Sequence, residues 1–410
     1  MPTLKSAAAA AAALAACAML QIAAAAPASL RATDAAALDA FLDKAVNERL
    51  VPAVVAVVAG PDHVLYLHAA GKRDVAAGDA LAPDAIFRIA SMTKPITSAL
   101  VMMLHEEGRV DFEAPASKYL PELAGLRVMT SFNDADRTYE SRPPAKPITV
   151  RHLLTNTSGI GYTFADARLA RLDGPGKTEM DMPLLHDPGE RFTYGPSTAV
   201  LGRIVERISG AALDDVMRQR LLEPLGMRDT SYTVPADKRG RAVTQHARAD
   251  GGFREQPNPD ALRSNVRGDG GLFSTAADYA RFMQLFLNGG RAGSRRLLSD
   301  ASVKQMFSNQ IGAVFVSEQP SANPALAKPF PFGGGKDKFG FGFQIEERPP
   351  APGLRSAGSA SWGGIYNTHF WIDPQKQIAA AVLMQFLPYY DRAALDVLRG
   401  VERIVYAAGN

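Results

Sequence analysis

The sequence predicts an α/β fold: one antiparallel sheet assembled from the N- and C-terminal segments, flanked by helices, with an inserted mainly helical domain. Two observations carry this. Short β-rich runs occur near the start and recur near the end, and the stretch between them, roughly 91–291, is dominated by apolar residues at helical spacing. Composition agrees, since 47% hydrophobic and 21% charged residues over 410 positions leave ample material for a core in one or two packed units. The formal charge of +3 is spread along the chain, so no nucleic-acid partner is implied.

Taken in order, residues 1–26 read as a secretory signal: Lys5 precedes an alanine-rich run that continues to Ala26, just before Pro27. The localisation expected is therefore secreted or periplasmic, with no membrane span. Cys17, the only cysteine, falls inside this segment, and "LAAC" makes a lipid anchor at Cys17 the second-ranked reading. Thr33 to Leu50 has helical spacing with Thr33 and Asp34 as expected caps. "VPAVVAVVAG" and "HVLYLHAA" flank Gly60, Pro61 and Asp62, which predicts a hairpin. Helices are predicted at Ile96 to Glu107, Ala199 to Ser209, Leu213 to Leu222 and Thr275 to Asn288. "KFGFGFQIEE", "IYNTHFWID" and "QIAAAVLMQF" read as three strands, and Asp391 to Tyr406 as a closing amphipathic helix. Arg127 to Pro147 and Ser317 to Lys338 are polar, Pro-rich stretches expected to be surface loops bordering a cleft. The division expected is 27–90 plus 330–410 for the sheet and 91–329 for the helical part.

"FRIASMTKPITSALVMMLHEEGRV" raises the chemical question. A helix starting near Ser91 places Lys94 on the same face one turn later, so hydroxyl and amine meet without help from a distant loop. Pro95 is compatible only with the first turn, and Gly108 suits the helix end. A serine hydroxyl becomes a strong nucleophile when a base takes its proton, and an amine serves only in its neutral form, which burial and a nearby cation favour. Ile89, Ala90, Met92 and Ile96 are the apolar neighbours expected to bury it. The alternative is that Ser91 caps the helix and Lys94 is solvated.

The chain resembles the serine β-lactamase and penicillin-binding-protein superfamily, closest to the family VIII carboxylesterases. Beyond the SxxK match, "ITVRHLLTNTSGIGY", "PGERFTYGPSTAVLGRIVERISG", "LLEPLGMRDTSY" and "GDGGLFSTAADYARFMQLFLNGG" follow in family order. The resemblance implies Ser91, Lys94 and Tyr194 as catalytic residues, with Tyr194 sharing the proton. It also implies an oxyanion hole of the Ser91 and Ile365 backbone N–H groups, and substrate contacts from Trp362, Gly363 and Gly364. Two departures matter. Pro196 replaces the asparagine of the tyrosine motif, so the amide that would hold a β-lactam's acylamino group is missing. "SWGGIYN" replaces the lysine-threonine-glycine strand and lacks its cation, which should weaken the hold on carboxylate-bearing substrates.

The expectation is a serine hydrolase cleaving a small-molecule carboxylic ester through an acyl-enzyme, with no cofactor and no metal. Its rivals are a β-lactamase or D-alanyl-D-alanine carboxypeptidase of the same fold, an acyltransferase, and a non-catalytic cell-wall sensor module. "GPSTA" lacks the last glycine of a nucleophile elbow, and the seven histidines show no metal-ligand spacing. "GGGKD" lacks P-loop spacing, and "RGD" at Arg267 to Asp269 is read as part of a glycine loop rather than an adhesion signal.

Overall fold

The computed structural model describes residues 30–331 and 333–407; the signal-like segment and Cys17 lie outside the described residues. Helix α1 (Ala32–Asn47) leads into strands β1 (Ala53–Ala59), β2 (Val64–Asp74) and the short β3 (Asp79–Ala80). The middle contributes α2 (Thr93–Glu106), α3 (Ser197–Ser209) and α4 (Ala276–Leu287). The C-terminal part supplies β4 (Lys338–Phe339), β5 (Gln344–Ile345), β6 (Ala360–Gly364), β7 (Thr368–Asp373) and β8 (Ile378–Leu383), then α5 (Arg392–Ala407). These strands form one eight-stranded sheet in the order β4-β5-β6-β7-β8-β1-β2-β3, antiparallel throughout.

The seam where the two ends of the chain meet is β1 against β8, with Val55 opposite Leu383 and Val57 opposite Ala381. Strand β1 reads AVVAVVA because it is covered on both faces, and alternate residues serve different cores. Val54, Ala56 and Val58 pack with Leu38 and Leu42 of α1 and Val397 and Val401 of α5. Val55 and Val57 face the larger core that holds α2 and α4. All five are fully buried; each such valine contributes about 1.5–3 kcal/mol of transfer free energy, so this sheet is a rigid platform.

Local differences from the sequence reading have physical reasons. Helix α1 starts at Ala32 with Arg31 at the cap position, and Asp34 pairs with the Arg31 guanidinium instead of capping. Arg127 to Pro147 is not a plain loop, because Val128–Asn133 and Thr138–Arg142 pair as a hairpin that leaves most of its side chains in solvent. "KFGFGFQIEE" is two short strands, since Gly342 adopts a positive φ of 89° and turns the chain between them. "SWGGIYN" supplies β6, a strand whose apolar period is hidden by its glycines.

Candidate active site

Ser91 is held from both sides of the chain. Phe87–Arg88 pairs with Phe273–Ser274, the Ile89 N–H donates to the Leu272 carbonyl at 3.0 Å, and the chain then makes a single 3₁₀ turn, Ala90–Met92, before α2. Ala90 takes a φ of +45°, a left-handed conformation that costs a non-glycine residue about 1–2 kcal/mol. Neither this turn nor α2 uses a side-chain cap, so Ser91 Oγ is not spent on the helix start.

Lys94 is buried, 2% exposed, and its Nζ lies 3.0 Å from Ser91 Oγ. Two further contacts hold the amine: the Tyr162 hydroxyl oxygen at 3.0 Å and the Asp269 backbone carbonyl at 2.7 Å. The surroundings are therefore not the apolar sleeve expected from Ile89, Ala90, Met92 and Ile96, because two loops bring polar groups over the first turn of α2. Tyr162 in turn donates its proton to Asp269 Oδ2, and Arg267 Nε donates to Asp269 Oδ1 at 2.9 Å. Burial would raise the Asp269 carboxyl, but the charges of Lys94 and Arg267 and the bonds from Arg267 and Tyr162 outweigh it and hold its pKa below the ordinary value. Burial first, then the neighbouring Asp269 charge, pushes the Tyr162 phenol well above its usual range, so it stays protonated.

That inventory fixes the Tyr162 proton on the side of Asp269. The Asp269 carbonyl only accepts, and Tyr162, its proton committed to a carboxylate, can only accept from Lys94. Two of the three hydrogen-bonding directions on Nζ are thus taken by N–H donors, and the third faces Ser91 Oγ. In its neutral form, the form that can act as a base, the amine would present its lone pair to the serine in this cage.

The loop carrying Asp269 is pinned by Thr97 Oγ1, which donates to the Gly268 carbonyl at 2.7 Å, and by the Tyr232 hydroxyl, which donates to the Arg267 carbonyl at 2.7 Å. Gly268 must lack a side chain, since a Cβ there would lie 2.3 Å from the Thr198 carbonyl oxygen at the start of α3. Asp269 is buried and its carboxylate is paired with Arg267, so the "RGD" tripeptide is part of the site's own structure.

Tyr194 sits differently from the expectation. Its ring centroid is 4.8 Å from Lys94 Nζ, but the hydroxyl that bonds Lys94 belongs to Tyr162; Tyr194 Oη instead accepts from Trp362 Nε1 at 3.4 Å. Because an indole N–H can only donate, the Tyr194 hydroxyl proton remains free to point elsewhere. Its backbone is fixed by Gly195, where a Cβ would lie 1.9 Å from the Ile160 carbonyl oxygen, and by its own N–H donating to Gln319 Oε1 at 2.9 Å. Trp362 is 7% exposed and packs its ring 5.0 Å from that of Tyr194, so it belongs both to the core and to the cavity wall.

Ser91, Tyr194, Trp362, Gly363 and Ile365 all line one cavity of ≈ 380 Å³, whose apolar walls include Phe164 and Phe330. Gly364 is not on that wall. A Cβ on it would lie 2.3 Å from the Ile89 carbonyl oxygen, so it lets β6 close onto the turn before Ser91. Tyr162 and Asp269 were missed from the sequence. The signal that pointed to Tyr162 was the "GIG" before it: Gly159 has a φ of +89° and Gly161 packs against Leu185, as close approach demands.

A buried amine against a serine hydroxyl at a helix start, beside an antiparallel sheet, defines a serine acyl-transfer enzyme. The chain belongs to the Beta-lactamase family, whose model matches residues 38–401. It is 34% identical over 367 residues to Protein Rv1367c of Mycobacterium tuberculosis, covering 83% of this chain and 87% of that protein. It is 29% identical over 415 residues to Esterase EstB of Burkholderia gladioli, covering 91% and 95%. Among solved structures it is similar to a mutant of Simvastatin Synthase (LovD) from Aspergillus terreus, with a TM-score of 0.78 at 27% identity over 92% of this chain and 95% of that one. Hydrolases and acyltransferases thus both stand among its relatives.

Proposed function

We propose that this protein is a serine carboxylesterase that works through an acyl-enzyme on Ser91. The observation that carries the reading is the occupancy of Lys94 Nζ: two neighbours that can only accept, and a serine oxygen at 3.0 Å in the remaining direction. Ser91 Oγ attacks the ester carbonyl as its proton passes to Nζ, and the C–O bond to the alcohol breaks from the tetrahedral intermediate. The Ser91 and Ile365 amides, on the same cavity wall, are the proposed donors to the oxyanion. Tyr194, whose oxygen is already accepting from Trp362, is the proposed proton donor to the departing alkoxide, and the proton taken up by Lys94, 4.8 Å from the Tyr194 ring centroid, is proposed to replace it. Water then takes the place of the alcohol and the steps run in reverse, returning the serine.

Esters are favoured over β-lactams because Pro196 opens α3 as its cap residue and offers no amide to the cavity, while Trp362 occupies the position of the motif's cation. The likeness to EstB points the same way. The test is a series of p-nitrophenyl esters of increasing acyl length run beside a chromogenic cephalosporin, with Ser91→Ala as control. Hydrolysis of the cephalosporin at rates matching the best ester would sink the substrate assignment, and undiminished turnover by Ser91→Ala would sink the mechanism. The likeness to Simvastatin Synthase supports acyl transfer as a second reading, which an added alcohol acceptor separates by its ester product.

A further inference from the structure

The catalytic cavity is lined by positive charge that no carboxylate among the described residues neutralises. Its ionisable lining, apart from the reacting centre, is Arg88, Arg263, Arg267 and Asp269. Arg267 and Asp269 are paired with each other, and Arg267 also reaches Glu179 at 3.3 Å. The other two guanidinium groups have no carboxylate partner among the described residues. Arg88 is part-buried, three residues before the nucleophile, and its recorded side-chain contacts are neutral: Nη1 donates to Asn258 Oδ1 at 2.8 Å, and the group lies 5.4 Å from the Phe273 ring centroid. Burial accordingly pulls its pKa below the usual guanidinium range, with only the nearby Tyr366 phenol opposing. Arg263 stands on the adjoining loop, bridged through its backbone to Thr233, with its side chain in solvent at the cavity mouth.

A half-buried arginine without a counter-ion is costly to keep, and the planar fork it presents matches a carboxylate. We infer that the ester handled by this site carries a carboxylate remote from the reacting carbonyl, and that Arg88 and Arg263 are the residues that bind it. This rests on the esterase reading above and narrows its substrate class. It also answers the loss of the motif's lysine at Trp362: the anion's partner would come instead from the strand before Ser91 and the loop around Arg263, which line the same cavity. The apolar lining of the same cavity, which includes Phe164, Leu262 and Phe330, suits a hydrocarbon spacer.

The test uses two matched pairs, so that the anion is offered from either side of the scissile bond. On the acyl side these are p-nitrophenyl hexanoate and mono-p-nitrophenyl adipate; on the alcohol side, methyl 4-acetoxybenzoate and 4-acetoxybenzoate. In at least one pair kcat/KM should favour the anionic member by about tenfold, the scale of one charge-assisted contact, and the preference should fall as salt is raised. Arg263→Gln, at an exposed position, and Arg88→Gln should each reduce that anionic-to-neutral ratio by about tenfold, with Arg88→Lys retaining more of it than Arg88→Gln. The ratio is internal to each variant, so partial misfolding does not imitate the effect. Ratios near one in both pairs, or a ratio that neither glutamine variant moves, overturn the carboxylate assignment while leaving Ser91-dependent esterase activity standing. Wild-type rates on all four esters no higher than those of Ser91→Ala overturn the esterase reading and this inference with it.

Discussion

Tyr162→Phe removes one oxygen and tests the proton inventory at Lys94. The hydroxyl joins the Asp269 carboxylate to an amine that becomes charged as it takes the serine proton: it accepts from Lys94 Nζ at 3.0 Å and donates to the carboxylate. Hydrogen bonds of this kind contribute about 1.5–3 kcal/mol each. On the acid side the loss is cushioned, because Arg267 still donates to Oδ1 at 2.9 Å and lies 3.4 Å from Oδ2. On the amine side there is no substitute. Nζ keeps the Asp269 carbonyl and Ser91, so one N–H loses its fixed acceptor and the lone pair is no longer confined to the direction of the serine. If that loss of confinement is felt mainly in the transition state, about 1.5–3 kcal/mol at 1.36 kcal/mol per tenfold gives a fall in kcat of roughly ten- to a hundredfold. KM should change by less than about threefold, since Tyr162 contributes mostly its ring to the cavity wall and phenylalanine preserves the ring. The assay is steady-state hydrolysis of one p-nitrophenyl ester with the thermal midpoint measured alongside, to show that the variant is folded. A Tyr162→Phe enzyme with kcat within about twofold of wild type would refute the argument, because Lys94 would then be oriented by something other than its acceptors.

Three other outcomes follow from the packing and titration of the same region. Gly364→Ala, whose Cβ would lie 2.3 Å from the Ile89 carbonyl oxygen, should push β6 off the turn before Ser91, lowering kcat by about tenfold or more and stability by about 1–3 kcal/mol, read by kinetics and urea unfolding. Gly195→Ala, at 1.9 Å from the Ile160 carbonyl oxygen, should displace Tyr194 and reduce kcat while leaving far-ultraviolet circular dichroism unchanged. Acid stability should reflect two opposed groups. Burial, then Arg355, depresses His369 to about 3, so its contribution is complete above the ordinary histidine value and drains as pH falls from about 6.5 toward 3, at up to about 1.4 kcal/mol per unit. Burial raises Glu346 to about 7 despite Arg355, so its native state takes up a proton first and gains stability as pH falls from about 7 to 4.5. His369→Gln should therefore make unfolding midpoints less sensitive to acid between pH 6.5 and 5, and Glu346→Gln more sensitive; matching slopes in all three proteins would contradict the assignment.

Legibility followed distance along the chain. The Ser91–Lys94 pair is written into one helical turn, and the sheet seam into AVVAVVA, whose lack of a polar face already says that both faces are covered. Trp362 and Gly363 are legible from the likeness of "SWGGIYN" to a family motif, not from a strand period, and both line the cavity. Gly364 serves instead to let β6 approach the turn before Ser91, since a Cβ on it would lie 2.3 Å from the Ile89 carbonyl oxygen. The hairpin at 128–142 escaped notice because its residues are mostly exposed on both faces, which erases the alternation that betrays a half-buried strand.

The polar cage of Lys94 could not be read in this way, because its parts come from 68 and 175 positions along the chain from the lysine. What the sequence does carry is the steric permission for those approaches. Gly159 and Gly161 precede Tyr162, Gly268 precedes Asp269 and Gly195 follows Tyr194, and at each of these glycines a Cβ would come within 2.5 Å of another residue's atom. Glycines that border a polar or aromatic residue outside any regular element thus mark where backbone is brought into contact, and here the contacts converge on one amine. A search for the base's partners is better guided by those glycines than by the neighbours of Lys94 on its own helix, since the helix supplies burial while the loops decide which way the amine's lone pair points.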